Sequence, residues 1–149
     1  MQFILGIIAA VLSFIIVCFN SLLGFFSPNP AVVSIRQNLA MDIKPGQVEF
    51  YEDTHGWFGD GEEVIIFTPD SARIYKIYHH WENTPVDSGI TSLIFSETEY
   101  NGVNLQKYIR NTEGFWFYKN RNSFSDGYSY NFSFAFFDGE KVYYYELDT

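Results

Sequence analysis

Seven carboxylates and no basic side chain lie between Lys44 and Arg73: Glu49, Glu52, Asp53, Asp60, Glu62, Glu63 and Asp70. His55 opens a turn-rich segment, 54–61, that holds three glycines. In Asp60-Gly61-Glu62 two carboxylates come together where a glycine lets the backbone approach a ligand. Such an oxygen-rich loop suits a hard cation like calcium, although its spacing departs from the EF-hand template. His55 with His79 or His80 and a carboxylate could hold zinc if the fold brings a helix end to the loop. Neighbouring helix positions point about 100° apart, so His79 and His80 are poor joint ligands, and one of them suits the helix C-terminal dipole. The default alternative is local: glycines and Asp60 shape a hairpin connection, His55 bonds nearby, and the acids face water. His55, Asp60 and Glu62 are therefore the candidate ligand or cation loop, with the metal left open. Trp57 and Phe58, at the tip of the same loop, either form an exposed contact patch or fold back as a lid, and the lid is the expectation.

No other grouping suggests catalysis. There is no G-x-S-x-G, P-loop or H-E-x-x-H pattern, and Ser123, Ser125 and Ser129 lack the glycines of a nucleophile elbow. No catalytic residue is assigned and no cofactor is expected, which leans away from an enzyme. Asn131-Phe132-Ser133 matches a glycosylation sequon but reads as strand alternation.

The elements that must position these residues follow from periodicity. Residues 47–53 and 62–67 read as strands on either side of the glycine-rich loop. Ile74, Ile77, Tyr78 and Trp81 recur at helical spacing, with Thr68 as the expected N-cap, Pro69 at the first helical position and Asn83-Thr84-Pro85 as the stop. A shorter helix capped by Asp87 or Ser88 would bury Ile90, Leu93 and Ile94, and a further short element is expected around residues 103–109. Residues 115–118 suggest a strand, and Asp138-Gly139 marks a hairpin between 130–137 and 142–147. A two-residue turn would pair Phe136 with Lys141, Phe134 with Tyr143, Phe132 with Tyr145 and Tyr130 with Leu147. That face is the expected core. The opposite one, with Ser133, Ala135, Phe137, Val142, Tyr144 and Glu146, is expected to be mostly wettable. The fold class is α+β: a small domain with an antiparallel sheet and one main packed helix, joined to an N-terminal transmembrane helix.

That last element comes from charge distribution. The chain has 149 residues, 9 Lys and Arg against 18 Asp and Glu, one cysteine and 20% aromatics. No charge precedes Arg36. Residues 3–26 as a helix would span about 36 Å, enough to cross a hydrocarbon core of about 30 Å. Cys18 sits there as a small apolar residue. The expected organisation is an uncleaved single-span anchor over 1–27, a tether over 28–46 and an extramembrane α+β domain over 47–149. Arg36 and Lys44 would favour a cytoplasmic domain by the positive-inside rule. A short N-terminus, one span and a folded domain suit an extracytoplasmic one, which is the reading adopted. The net charge of −9 argues against nucleic acid as a partner.

Two stretches carry a resemblance. Glu52-Asp53-Thr54-His55-Gly56-Trp57-Phe58-Gly59-Asp60-Gly61-Glu62 is similar to the D-T-H-G-G-F-H-G-D-G-E-type segment of a group of small, uncharacterised bacterial proteins. These resemble exported or membrane-anchored proteins of the Gram-positive type. Gly114-Phe115-Trp116-Phe117, Asn131-Phe132-Ser133 and the closing Tyr143-Tyr144-Tyr145-Glu146-Leu147-Asp148-Thr149 resemble that group's final segment. The chain departs from the group in having Trp57 in place of a glycine and in lacking the loop's second histidine. The resemblance implies architecture and export, and no activity. The expected function is non-catalytic binding of a protein partner by an anchored domain. The alternatives are a metal-dependent enzyme or cation-binding domain using the His55–Glu62 loop, and a cytoplasmic-facing, immunity-type interaction domain.

Overall fold

Short runs rich in β-branched and aromatic residues fit a pleated, half-buried surface, and they build the centre of this molecule. The computed structural model describes residues 28–57, 59–94, 99–100, 103–121 and 131–149. Residues 1–27, expected to form the anchor, lie outside the described residues, as do Phe58, Ser123, Ser125, Ser129 and Tyr130. The strands are β1 (Val48–Asp53), β2 (Gly61–Phe67), β3 (Glu82–Asn83), β4 (Glu99–Tyr100), β5 (Val103–Asn104), β6 (Phe115–Asn120), β7 (Phe132–Phe137) and β8 (Val142–Asp148). Six of them form one antiparallel sheet in the order β1-β2-β8-β7-β6-β3, and β4 pairs with β5 separately. The α-helices among the described residues are α1 (Pro30–Leu39), α2 (Ser71–His80), α3 (Ser88–Leu93) and α4 (Leu105–Asn111), and a 3-10 turn at Pro45–Gln47 precedes β1. The class is α+β, as expected. No helix among the described residues is long and apolar enough to cross a membrane.

The sheet carries a core on each face. On one, Ile65, Phe67, Ala135, Phe137, Val142 and Tyr144 pack against α1, Ile77 of α2 and Trp81. On the other, Val64, Ile66, Phe134, Phe136, Tyr143 and Tyr145 pack against Ile94, Leu105 and Ile109. All of β7 and all of β8 except Asp148 are buried. The face expected to be wettable is thus a second core.

Its cover comes from the stretch expected to be a tether. Ala31, Val32, Ile35 and Leu39 form a helical stripe that is buried together with Met41 and Ile43. Ala31–Thr149 is one compact unit, so α1 belongs to the folded domain. The expectation of one main packed helix gives way to helices on both faces.

Two local readings also shift. Asp70, and not Thr68, caps α2, its carboxylate accepting from Arg73 N at 3.1 Å. Thr68 instead joins the sheet margin, with its N–H on Gln47 O at 3.0 Å and its hydroxyl on Glu49 at 2.5 Å. The final hairpin pairs Phe137 with Val142, Phe136 with Tyr143, Phe134 with Tyr145 and Phe132 with Leu147. Residues 138–141 therefore connect the strands, with Asp138 N–H on Lys141 O at 3.2 Å, so the turn centres on Gly139-Glu140 in place of Asp138-Gly139. The Asp138 carboxylate explains it by accepting from the N–H groups of Glu140 and Lys141 at 2.8 and 2.7 Å. A shift of two residues keeps every side chain on its expected face. Asp87 caps α3 as expected, accepting from Gly89 N at 2.7 Å.

Candidate functional site

The loop between β1 and β2 is closed by its own backbone. Thr54 N–H donates to Glu62 O at 2.9 Å, Gly56 N–H to Asp60 O at 3.0 Å and Gly59 N–H to Gly56 O at 3.0 Å. A Cβ on Gly61 would lie 2.6 Å from His55 Cα, so only glycine lets the strand start this close to the histidine. The closure places His55 beside the end of β8, because β2 and β8 pair Gly61 with Asp148 and Glu63 with Glu146.

His55 is pinned from two sides. Its Nδ1 lies 2.6 Å from Asp53 Oδ1, which also accepts the His55 backbone N–H at 2.9 Å. Its Nε2 is buried, makes no hydrogen bond, and lies 3.5 Å from Asp148 Oδ2. Arg121 completes this end of the sheet, with one guanidinium nitrogen 2.7 Å from Glu146 Oε1 and the other 2.7 Å from Asp148 Oδ1. Side chains from α1 lie over the same strands: Ser34 donates to Glu63, and Asn38 donates to Glu146 Oε2 at 2.7 Å. The Tyr144 hydroxyl donates to Glu146 as well.

The electrostatics follow from burial. Glu63 is 6% exposed. Its carboxyl is pushed up to about 7, by burial first and then by the nearby Glu146 and Asp53, against the pull of the Ser34 hydroxyl. Burial, followed by Asp53 and Glu63, raises Tyr51 to about 12. Burial and the charge of Glu146 also raise Tyr144. For Asp53 burial acts upward, but the bonds from the backbone and ring of His55 hold it below the ordinary carboxylate value.

The residues singled out in the sequence therefore divide. His55 is in the cluster. Asp60 is exposed, and its carbonyl serves the loop. Glu62 is opposite Leu147 in the register and, by strand alternation, turns to the other face from Glu63. The His79 ring stacks on Tyr75 at 3.9 Å with Nδ1 2.8 Å from the Tyr75 carbonyl, and His80 is exposed. Among the described residues, the histidine–carboxylate set whose ligand atoms lie within 4.8 Å of one another is His55, Glu146 and Asp148. Trp57 is 103% exposed, so the folded-back lid is corrected to an indole held in solvent. Its neighbour Phe58 lies outside the described residues.

The acids between Lys44 and Arg73 find cations from both near and far. Glu49 meets Lys141 at 2.6 Å, and Asp70 meets Arg73 at 3.1 Å. Sequence reasoning missed Glu146, Asp148, Arg121, Ser34 and Asn38. One usable signal was present: Ser34 and Asn38 are four residues apart, so they share one face of a short helix. Comparison of the chain with protein-family models, with curated proteins and with solved structures finds no match.

Proposed function

We propose that this protein is a single-span membrane-anchored module whose acidic, aromatic-rich domain lies outside the cytoplasm and binds a protein partner without catalysing a reaction. Trp57 carries the reading. Its indole is fully exposed on a loop that hydrogen bonds hold closed. Tryptophan supplies a large contact area for little loss of side-chain freedom, and it is enriched among the residues that dominate binding energies. The uncharged run 3–26 supports the anchor.

The experiment places a photo-crosslinking amino acid at position 57, and separately at exposed position 80, of the full chain in cells. A discrete protein adduct from 57 and none from 80 is expected, and equal or absent adducts would overturn partner binding. A cysteine at exposed position 140, labelled with a membrane-impermeant maleimide, reads the topology. Labelling in intact cells is expected. Labelling only after lysis would favour the cytoplasmic-facing, immunity-type domain.

A further inference from the structure

The imidazole of His55 has one proton and one lone pair to place when neutral. Asp53 accepts at Nδ1, and a carboxylate cannot donate, so the ring proton sits there. The lone pair on Nε2 then faces Asp148 Oδ2, itself an acceptor, at 3.5 Å. In that neutral form the buried Nε2 and the partly exposed Asp148 Oδ2 are two acceptors facing one another with no hydrogen between them. A cation held between them relieves that opposition.

The spacing indicates which kind of cation. Zinc bonds imidazole nitrogen and carboxylate oxygen at about 2.0–2.2 Å, so two donors on a tetrahedral ion lie about 3.3–3.5 Å apart. The separation of His55 Nε2 and Asp148 Oδ2 is 3.5 Å. Glu146 lies within reach as a third donor, all three ligand atoms falling within 4.8 Å. Local charge leaves room for the ion. Asp53, Glu63, Glu146 and Asp148 gather here. Among the described residues Arg121 is the one lysine or arginine that pairs with any of them, and it occupies Asp148 Oδ1 while leaving Oδ2 to face the histidine.

We propose that His55, Asp148 and Glu146 bind one divalent first-row transition ion, with zinc as the representative. The arrangement includes the support that such sites use. Asp53 orients the imidazole through its other nitrogen, and Arg121, Asn38 and Tyr144 orient the two carboxylates. An imidazole donor selects against calcium and magnesium, which prefer oxygen. Three protein donors leave a fourth position for water or a small ligand. This set differs from a metal site on the His55–Glu62 loop, because Asp60 and Glu62 take no part.

The test uses the full chain, purified in mild detergent and stripped with EDTA. Zinc chloride is titrated by calorimetry, and thermal unfolding is followed with zinc and with magnesium. One zinc per chain is expected, with a raised unfolding temperature that magnesium does not reproduce. His55→Ala and Asp148→Asn should each weaken zinc binding by more than about tenfold, while Asp60→Asn leaves it unchanged. X-ray absorption of the zinc-loaded wild type should show imidazole and oxygen donors near about 2.0 Å, a readout that remains if His55→Ala fails to fold. The proposal is overturned by no saturable zinc binding up to about 1 mM, by absence of imidazole from the zinc shell, or by equal binding in Asp148→Asn and wild type. A stable histidine–aspartate ion pair without metal would give the first of these results.

Discussion

A glutamate nearly sealed from water between a sheet and a helix costs the fold energy whenever it ionises. Glu63 is such a residue, and its raised carboxyl value fixes the sign of the effect. The folded state holds the proton more tightly than the unfolded chain, where the value is near 4.5. The contribution is therefore fully present below about 4.5, is lost as pH rises through about 7, and stays lost above it. Separation of the two values corresponds to about 3 kcal/mol at most. Glu63→Gln, with EDTA present throughout, should be more stable than wild type at pH 8 by roughly 1–3 kcal/mol, and the gain should vanish near pH 4. Parallel urea-unfolding profiles across that range would show that Glu63 does not titrate in this way. At this scale the sequence was half legible. His55 stood out by its type and its glycines, but its partners Asp148 and Glu146 come from a strand almost a hundred residues later. Only the pairing of β2 with β8 makes them neighbours.

The elements were legible where periodicity was strong and hidden where one element covers another. The stripe Ile74, Ile77 and Trp81 and the Asp87 cap are visible as local patterns. α1, as long as α2, is harder to see because it starts among prolines and lacks charged partners spaced along it. The consequence reached β7 and β8. Ser133, Ala135, Tyr144 and Glu146 look wettable only while nothing covers them, and the covering helix lies a hundred residues away in the chain. Ile35 is fully buried at the centre of that contact. Ile35→Ala should therefore cost about 2–4 kcal/mol through lost contacts and the cavity left behind, read from the denaturation midpoint. A change within about 0.5 kcal/mol would mean that α1 is a tether after all. The hairpin teaches the complementary lesson. Asp-Gly signalled a turn, yet the Asp138 carboxylate gathers two following N–H groups and the turn moves one residue on, to Gly139-Glu140.

For the whole molecule, the boundary of the folding unit matters more than the count of its elements. A chain beginning at residue 28 retains both cores and should unfold cooperatively. One beginning at residue 47 loses α1 and uncovers Ile65, Phe137 and Tyr144. It should aggregate or bind a hydrophobic dye while retaining β-sheet ellipticity. Equal cooperativity of the two chains would move the domain boundary back to residue 47.

Among the described residues the sheet order leaves β1 without a strand neighbour on one side, and β3 at the other edge is only two residues long. An open edge invites a strand from another molecule, and β1 meets that hazard with Glu49, Glu52 and Asp53 on six residues of strand. A second copy arriving edge to edge would bring carboxylate against carboxylate. Carboxylates on that strand, Glu52 above all since Glu49 and Asp53 already hold partners, would thus also oppose fibre-like stacking at this edge.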